Sequence, residues 1–249
     1  MGMADIESLG LVLQAAPDWF KAHATRDLRV SGTAFIVINA GDEPWEVPLE
    51  IGVTGSGVRV REAIPGTQFP ERCPDRHIED EGWFCLGLSS GTMIVDRASG
   101  MSWWQSLHSF LRMQRVAART GLWPEHHSLS HGQAGHHHLR AIELARDVGF
   151  ADAYEAFVMG EPSVLACLYD RLSDCGRRLL NGRSACPCGR HERDGTPTLR
   201  RNCPHRESVV AHLLAERRRR AALASFWEAM RKDGSACCGT MQSCPLGTS

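Results

Sequence analysis

The chain has 249 residues, a formal net charge of −1, 43% apolar and 23% charged side chains. That length can bury a substantial core in one large domain or two smaller ones, and the charge balance gives no basis for binding nucleic acid through bulk electrostatics. No apolar run is long enough to span a bilayer, and Met1-Gly2-Met3-Ala4-Asp5-Ile6 lacks the basic-then-apolar pattern of a secretory signal, so the expected location is cytoplasmic, with no membrane partner.

Ile6, Leu9 and Leu13 recur at helical spacing, and Pro17 ends or restarts that helix. Residues 28–30 and 34–38 are rich in β-branched side chains and read as strands. Trp45, Val47, Leu49, Ile51 and Val53 alternate with Glu46, Pro48, Glu50 and Gly52, the period of a half-buried strand, with Pro48 placing it near an edge or a bulge. Thr54-Gly55-Ser56-Gly57 is a turn, and Val58 and Val60 begin the next strand. Such short connections favour an antiparallel meander. Pro65, Pro70 and Pro74 then impose an extended crossing. Trp103, Trp104, Leu107, Phe110, Leu111 and Gln114 mark an amphipathic helix capped near Ser102 and stopped at Gly121. A second helix carries Leu139, Ile142, Ala145 and Val148, and a third Val164, Leu168, Leu172, Cys175 and Leu179. Residues 181–204 are loop-like, and a last helix spans about 208–231.

Ten cysteines in a reducing compartment are buried fillers, metal ligands or nucleophiles. Only Cys73 and Cys85 precede residue 167, which divides the chain into a catalytic-type domain over 1–124 and a cysteine-rich extension over 125–249. Cys85 lies eight residues after His77 in His77-Ile78-Glu79-Asp80-Glu81-Gly82-Trp83-Phe84-Cys85-Leu86. A cysteine on an irregular segment after a turn suits nucleophilic chemistry, while a cysteine between Phe84 and Leu86 equally suits a small buried filler.

The order of helix, meander, proline-punctuated crossing, His77–Cys85 segment and tryptophan-bearing helix resembles the catalytic core of ubiquitin-conjugating (E2) enzymes. The motif is similar to the family's Asn-Ile-x-x-x-Gly-x-Ile-Cys-Leu, with His77 where an asparagine is usual, Arg76 in place of the proline and Asp75 in place of the histidine. These departures, and a long loop between Cys85 and Trp103, resemble the divergent bacterial members of ubiquitin-like antiphage operons. The resemblance implies an α+β, E2-like (UBC) fold: a four-stranded antiparallel meander with flanking helices, followed by a helical zinc-binding extension. It implies a transferase that accepts a ubiquitin-like modifier as a thioester on Cys85 from an E1-like activating enzyme and passes it to a target protein. An operon-encoded deconjugating protease would accompany it, and ATP would be used by the activating partner. His77 would donate to the oxyanion, act as a base or pin the loop. Glu79, Asp80, Glu81 and Asp96 are the carboxylates open to the incoming amine. An inactive E2-like adaptor that binds the modifier, with a zinc-stabilised tail, is the alternative. A Cys85–His77 hydrolase ranks third.

Cys186-Pro187-Cys188 followed by Cys203-Pro204-His205 supplies four soft-to-borderline ligands for a structural zinc ion, Zn2+, whose binding would fold a polar segment with little core of its own. Cys237, Cys238 and Cys244 form either a second site with His191, His212 or Cys175 or an oxidisable tail, and Cys167 and Cys175 read as core. The cluster His126, His127, His131, His136, His137 and His138 reads as a polar loop leading into a helix, with metal binding as the alternative. The arginines at 217–220 read as a solvated helix face, with docking to an acidic partner as the alternative.

Overall fold

A computed structural model describes residues 3–87, 91–92, 94–124, 129–163, 165–166, 169, 172–173 and 182–247. These belong to two compact units, Met1–Pro124 joined by Gly234–Ser249, and Glu125–Asp233. The first unit therefore takes in the last stretch of the span that the sequence reading gave to the extension.

In the first unit, helix α1 (Met3–Gln14) leads into strands β1 (Phe20–Arg26), β2 (Arg29–Ile36), β3 (Trp45–Thr54) and β4 (Gly57–Glu62). The strands pair in chain order as an antiparallel meander, as the short turns require. Val30, Ala34 and Ile36 of β2, Val47, Leu49 and Ile51 of β3, and Val58 and Val60 of β4 fill one core, which is the alternation read from the sequence. β1 was not expected. Beyond Phe20 all its residues are exposed, so an outer strand carries no apolar period to detect. Asp27 and Leu28 both take positive φ, which makes them the two-residue turn between β1 and β2 and removes Leu28 from the strand expected at 28–30. Pro48 lies in an interior strand. Its carbonyl accepts Ala63 N–H, and pairing with β4 begins only at the next residue, Leu49, so its missing N–H falls where the ladder ends.

Helix α2 (Arg97–Thr120) closes this core with Trp103, Trp104, Leu107, Phe110 and Leu111. It starts earlier than the apolar stripe suggests, because Asp96 rather than Ser102 caps it: the Asp96 carboxylate accepts Ser99 N–H at 2.7 Å, and the Ser99 hydroxyl answers to the Asp96 backbone. The Trp104 indole donates to the Val12 carbonyl at 2.7 Å and fixes α2 to α1.

The crossing between β4 and α2 is held by buried polar groups. Glu62 accepts the backbone N–H groups of Thr67, Gln68 and Phe69, satisfying donors that proline-rich chain cannot pair within itself. Arg76 is buried, donating from Nε to Gln114 Oε1 at 2.8 Å, while Gln114 Nε2 donates back to the Arg76 carbonyl at 2.6 Å.

The second unit contains α3 (Ala134–Val148), α4 (Ala151–Val158) and α5 (Arg206–Lys232). Helix α4 was not foreseen, and Val164, Leu168, Cys175 and Leu179 of the expected third helix lie outside the described residues, as does Cys167. The core of Ala141, Ala145, Val148, Leu165, Leu172 and Leu213 surrounds a polar network. Glu216 accepts from Tyr154 at 2.7 Å, from Arg219 at 2.6 and 2.8 Å and from Arg220 at 2.8 Å. Burial opposes the Glu216 charge, yet these donors hold its carboxyl below the usual range. Of the expected solvated arginine face, Arg218 and Arg220 are exposed, with Arg220 also stacked over Phe157 and Tyr169, whereas Arg219 departs from it and is buried on Glu216. His212 donates from Nδ1 to the Ala141 carbonyl and accepts at Nε2 from Tyr169, which assigns its neutral tautomer.

Replacing Gln114 by Ala should leave the buried Arg76 Nε and carbonyl without their partners and lower the unfolding free energy by about 2–3 kcal/mol, as measured by urea denaturation.

Candidate active site and cysteine cluster

Cys85 is placed by the pairing of its neighbours. Ile78 bridges Cys73 on one side and Phe84 on the other, and Cys85 N–H donates to the His77 carbonyl at 2.9 Å. Phe84 N–H donates to Val60 O at 2.9 Å, and further on Val58 N–H donates to Gly91 O at 2.9 Å, so the Cys85 segment is anchored to β4 at two points. Gly91 is required for the second. A Cβ there would run into the Val58 carbonyl. The Phe84 ring stacks on Phe110 of α2 at 4.7 Å, and this buried ring anchors the residue before the cysteine.

Between these anchors lies a cavity of about 240 Å³ lined by Val58, Arg59, Val60, Glu79, Cys85, Gly87, Gly91 and Thr92, among others. Cys85 is half-buried on its wall. Burial is the main reason its thiol stands above the ordinary value. The Glu79 carboxylate adds to the rise through its charge and a side-chain hydrogen bond, while Gly87 N–H and the Arg59 guanidinium act against it. Arg59 forms an ion pair with Glu79 and rests over the Trp83 ring, with Arg61 on the same ring at 4.6 Å.

The four carboxylates left open by the sequence are separated here. Glu79 alone among them lines the cavity. Asp80 pairs with Arg72 at 2.6 Å, Glu81 accepts from the Trp83 indole and faces Arg61, and Asp96 is spent on its helix cap. His77 sits in the left-handed region, its ring 5.1 Å from that of Trp123, and it is not among the residues lining the cavity. It reaches Cys85 through its carbonyl. Arg59 is the residue that sequence reasoning missed, since nothing in a single basic side chain on an outer strand marks it before Glu79 and Cys85 are brought to it.

In the second unit, the sulfurs of Cys186, Cys188 and Cys203 lie within 4.8 Å of one another, an arrangement that could hold a metal ion. His205, proposed from sequence as the fourth ligand, is not in that group, although its backbone N–H donates to Cys203 Sγ at 3.4 Å. Residues 182–204 form turns and isolated bridges, Ala185 with Leu199 and His191 with Pro197, which fold Cys203 back onto the Cys186–Cys188 turn. Three convergent thiols on a segment with two of them buried suit a soft metal. Of the histidine cluster, His131 stacks on Phe226 and His138 accepts Ser130 N–H, each brought down to about 4 by burial, and His126 and His127 lie outside the described residues.

A four-stranded antiparallel meander closed by helices is the fold expected of an E2-type domain. Residues 20–125 match the family model for the prokaryotic E2 domain, and residues 130–246 match that of a cysteine-rich domain C-terminal to the E2 domain. The chain belongs with the bacterial E2-like proteins that carry a cysteine-rich extension. No curated protein and no solved structure matches it significantly. No helix among the described residues is long and apolar enough to cross a membrane.

Glu79→Gln should bring the Cys85 thiol down towards its ordinary value, and Arg59→Gln should push it further up. Iodoacetamide rates at Cys85, followed by peptide mapping against pH, should show the midpoint moving to lower pH in the first variant and to higher pH in the second.

Proposed function

We propose that the chain is an E2-type acyltransferase that carries a ubiquitin-like modifier as a thioester on Cys85. The observation that supports this reading best is Cys85 itself, half-buried on a cavity beside Glu79 and Arg59, at the position where the E2 motif has its cysteine. The Cys85 thiolate attacks the thioester carbonyl presented by an E1-like enzyme, and the E1 thiolate leaves. A target amine then attacks the same carbonyl, the Cys85 thiolate leaves, and an amide remains. Glu79 draws the amine in and takes up its proton, directly or through water. Cys85 N–H is already committed to the His77 carbonyl, so the oxyanion is met by a side chain, and Arg59 is the cationic donor on the cavity wall. His77 is a positioning residue, setting the backbone from which Cys85 projects. The partners inferred from the resemblance are the activating enzyme, the modifier, a target protein and a deconjugating protease, acting in the cytoplasm in bacterial antiphage defence.

The raised Cys85 thiol favours one competing reading, an E2-like adaptor that holds the modifier without forming a bond to it. Incubation with modifier, E1-like enzyme and ATP separates the two. Wild-type protein should give a modifier-linked band that thiols remove, Cys85→Ala no such band, and Cys85→Ser a band that resists thiols. Absence of any adduct in the wild type would leave the adaptor.

We also infer that the metal is zinc, held by Cys186, Cys188 and Cys203 with His205 completing the set. When bound, zinc would cross-link residues 182–204, which have few apolar contacts of their own. Metal analysis should find about one zinc per chain, lost in Cys203→Ser and weakened in His205→Ala. Full retention in His205→Ala would remove that residue from the site.

A further inference from the structure

The residues that close the first unit carry chemistry the transfer reaction does not use. Cys238 Sγ lies 2.8 Å from Cys73 Sγ, across 165 positions of sequence. Cys73 is buried in the crossing, where it exchanges both backbone hydrogen bonds with Ile78, one residue after the His77 that holds Cys85. Cys238 is half-buried, on a segment without helix or strand, and its sulfur also contacts the Thr240 hydroxyl at 3.0 Å. Polar contacts fix that segment in place. Arg72 donates to the Ser235 hydroxyl at 2.6 Å, Arg76 to the Thr240 hydroxyl at 3.2 Å, and the Gln242 backbone and side chain donate to Gly121 and Thr120 at 2.8 Å each. The pair is therefore built into the fold.

We propose that Cys73 and Cys238 form a dithiol site that undergoes reversible thiol–disulfide exchange with low-molecular-weight disulfides, fastening residues 234–247 to the crossing that presents Cys85. The two sulfurs divide the work. Burial opposes charge on Cys238, but its hydrogen bonds with Cys73 and Thr240 and the nearby Arg76 guanidinium outweigh it and bring this thiol below its ordinary value. Burial pushes Cys73 well up. Cys238 is accordingly the attacking thiolate, on the more accessible sulfur. It attacks one sulfur of the small disulfide, the S–S bond of that molecule breaks, and one small thiolate leaves. Cys73 then gives its proton to solvent or the departing thiolate and attacks the Cys238 sulfur of the mixed disulfide, releasing the second small thiol. One small disulfide is reduced to two thiols, and the protein dithiol is oxidised to one disulfide. A thiol reductant reverses both steps. Neighbouring Cys237 and Cys244 hydrogen-bond each other and are not required.

The test is incubation of the folded full-length protein with oxidised glutathione, trapping of free thiols, and peptide mapping without reduction. The expected product has lost about 2 Da and yields a peptide joining Cys73 to Cys238, which dithiothreitol separates. Cys237→Ser should still form it, and Cys238→Ser should not. Because Cys73 is a core residue whose replacement could unfold the unit, Cys238→Ser is the deciding variant, with unchanged circular dichroism as its control. A mixed disulfide that stays on Cys238, a bond from Cys238 to Cys244, a cross-link that forms only in denaturant, or a zinc ion held by Cys73 and Cys238 that blocks oxidation would each overturn the proposal. The map uses neither modifier nor activating enzyme, so its outcome is independent of the transferase reading.

Discussion

The reciprocal bonding of Arg76 and Gln114 is the constraint on which the first unit turns. A guanidinium 2% exposed is tolerated only where its donors are met, and Gln114, fully buried on α2, meets Nε with its side-chain oxygen and NH2 with its carbonyl. In return Gln114 ties down the Arg76 carbonyl. The crossing cannot slide along α2 without leaving both groups unpaired in the core. Every later placement inherits that register: His77 in its left-handed turn, Ile78 bridged to Cys73 and Phe84, and Cys85 hung from the His77 carbonyl. A backbone with few regular hydrogen bonds is made rigid by buried side chains that bond to it.

On that frame the cavity chemistry is a matter of opposed fields. Cys85 feels burial and Glu79 on one side and Arg59 and the Gly87 N–H on the other. The Glu79–Arg59 pair lies at the cavity, where a departing or arriving charge can be compensated without moving the main chain. Trp83, sandwiched near both Arg59 and Arg61, keeps these side chains extended along β4. The second unit solves a different problem by similar means. Glu216 is fully enclosed and charged, and it persists because three partners on two helices supply its hydrogen bonds.

Much of this was legible in the residues. The alternation through Trp45–Thr54 and the stripe from Trp103 onward fix two layers of the fold, and the spacing of the prolines gives the crossing. β1 was invisible because an outer strand facing water has no period, and α4 because eight residues give too short a window. The start of α2 was misplaced because its first turn is held by a cap rather than by apolar contacts. Motif order pointed to Cys85, whereas the choice of Glu79 among four carboxylates depends on where β4 lies beside the segment, which no local pattern encodes. The cysteine spacing pointed to Cys186, Cys188 and Cys203, whose sulfurs converge, and to His205, which lies outside that group, while Arg219 looked solvated because burial of a charge depends on a partner three residues away being buried too.

The division of the chain has a consequence for how it is made. The first unit is finished by Gly234–Ser249, and Glu125–Asp233 is spliced between its two parts. On the ribosome the β-meander and its helix are therefore made first, and residues 125–233 are all translated before the strip that contacts Cys73 exists. Until then Cys73, Arg72 and Arg76 lack the partners that Cys238, Ser235 and Thr240 supply, and this incomplete unit is the species that chaperones would meet.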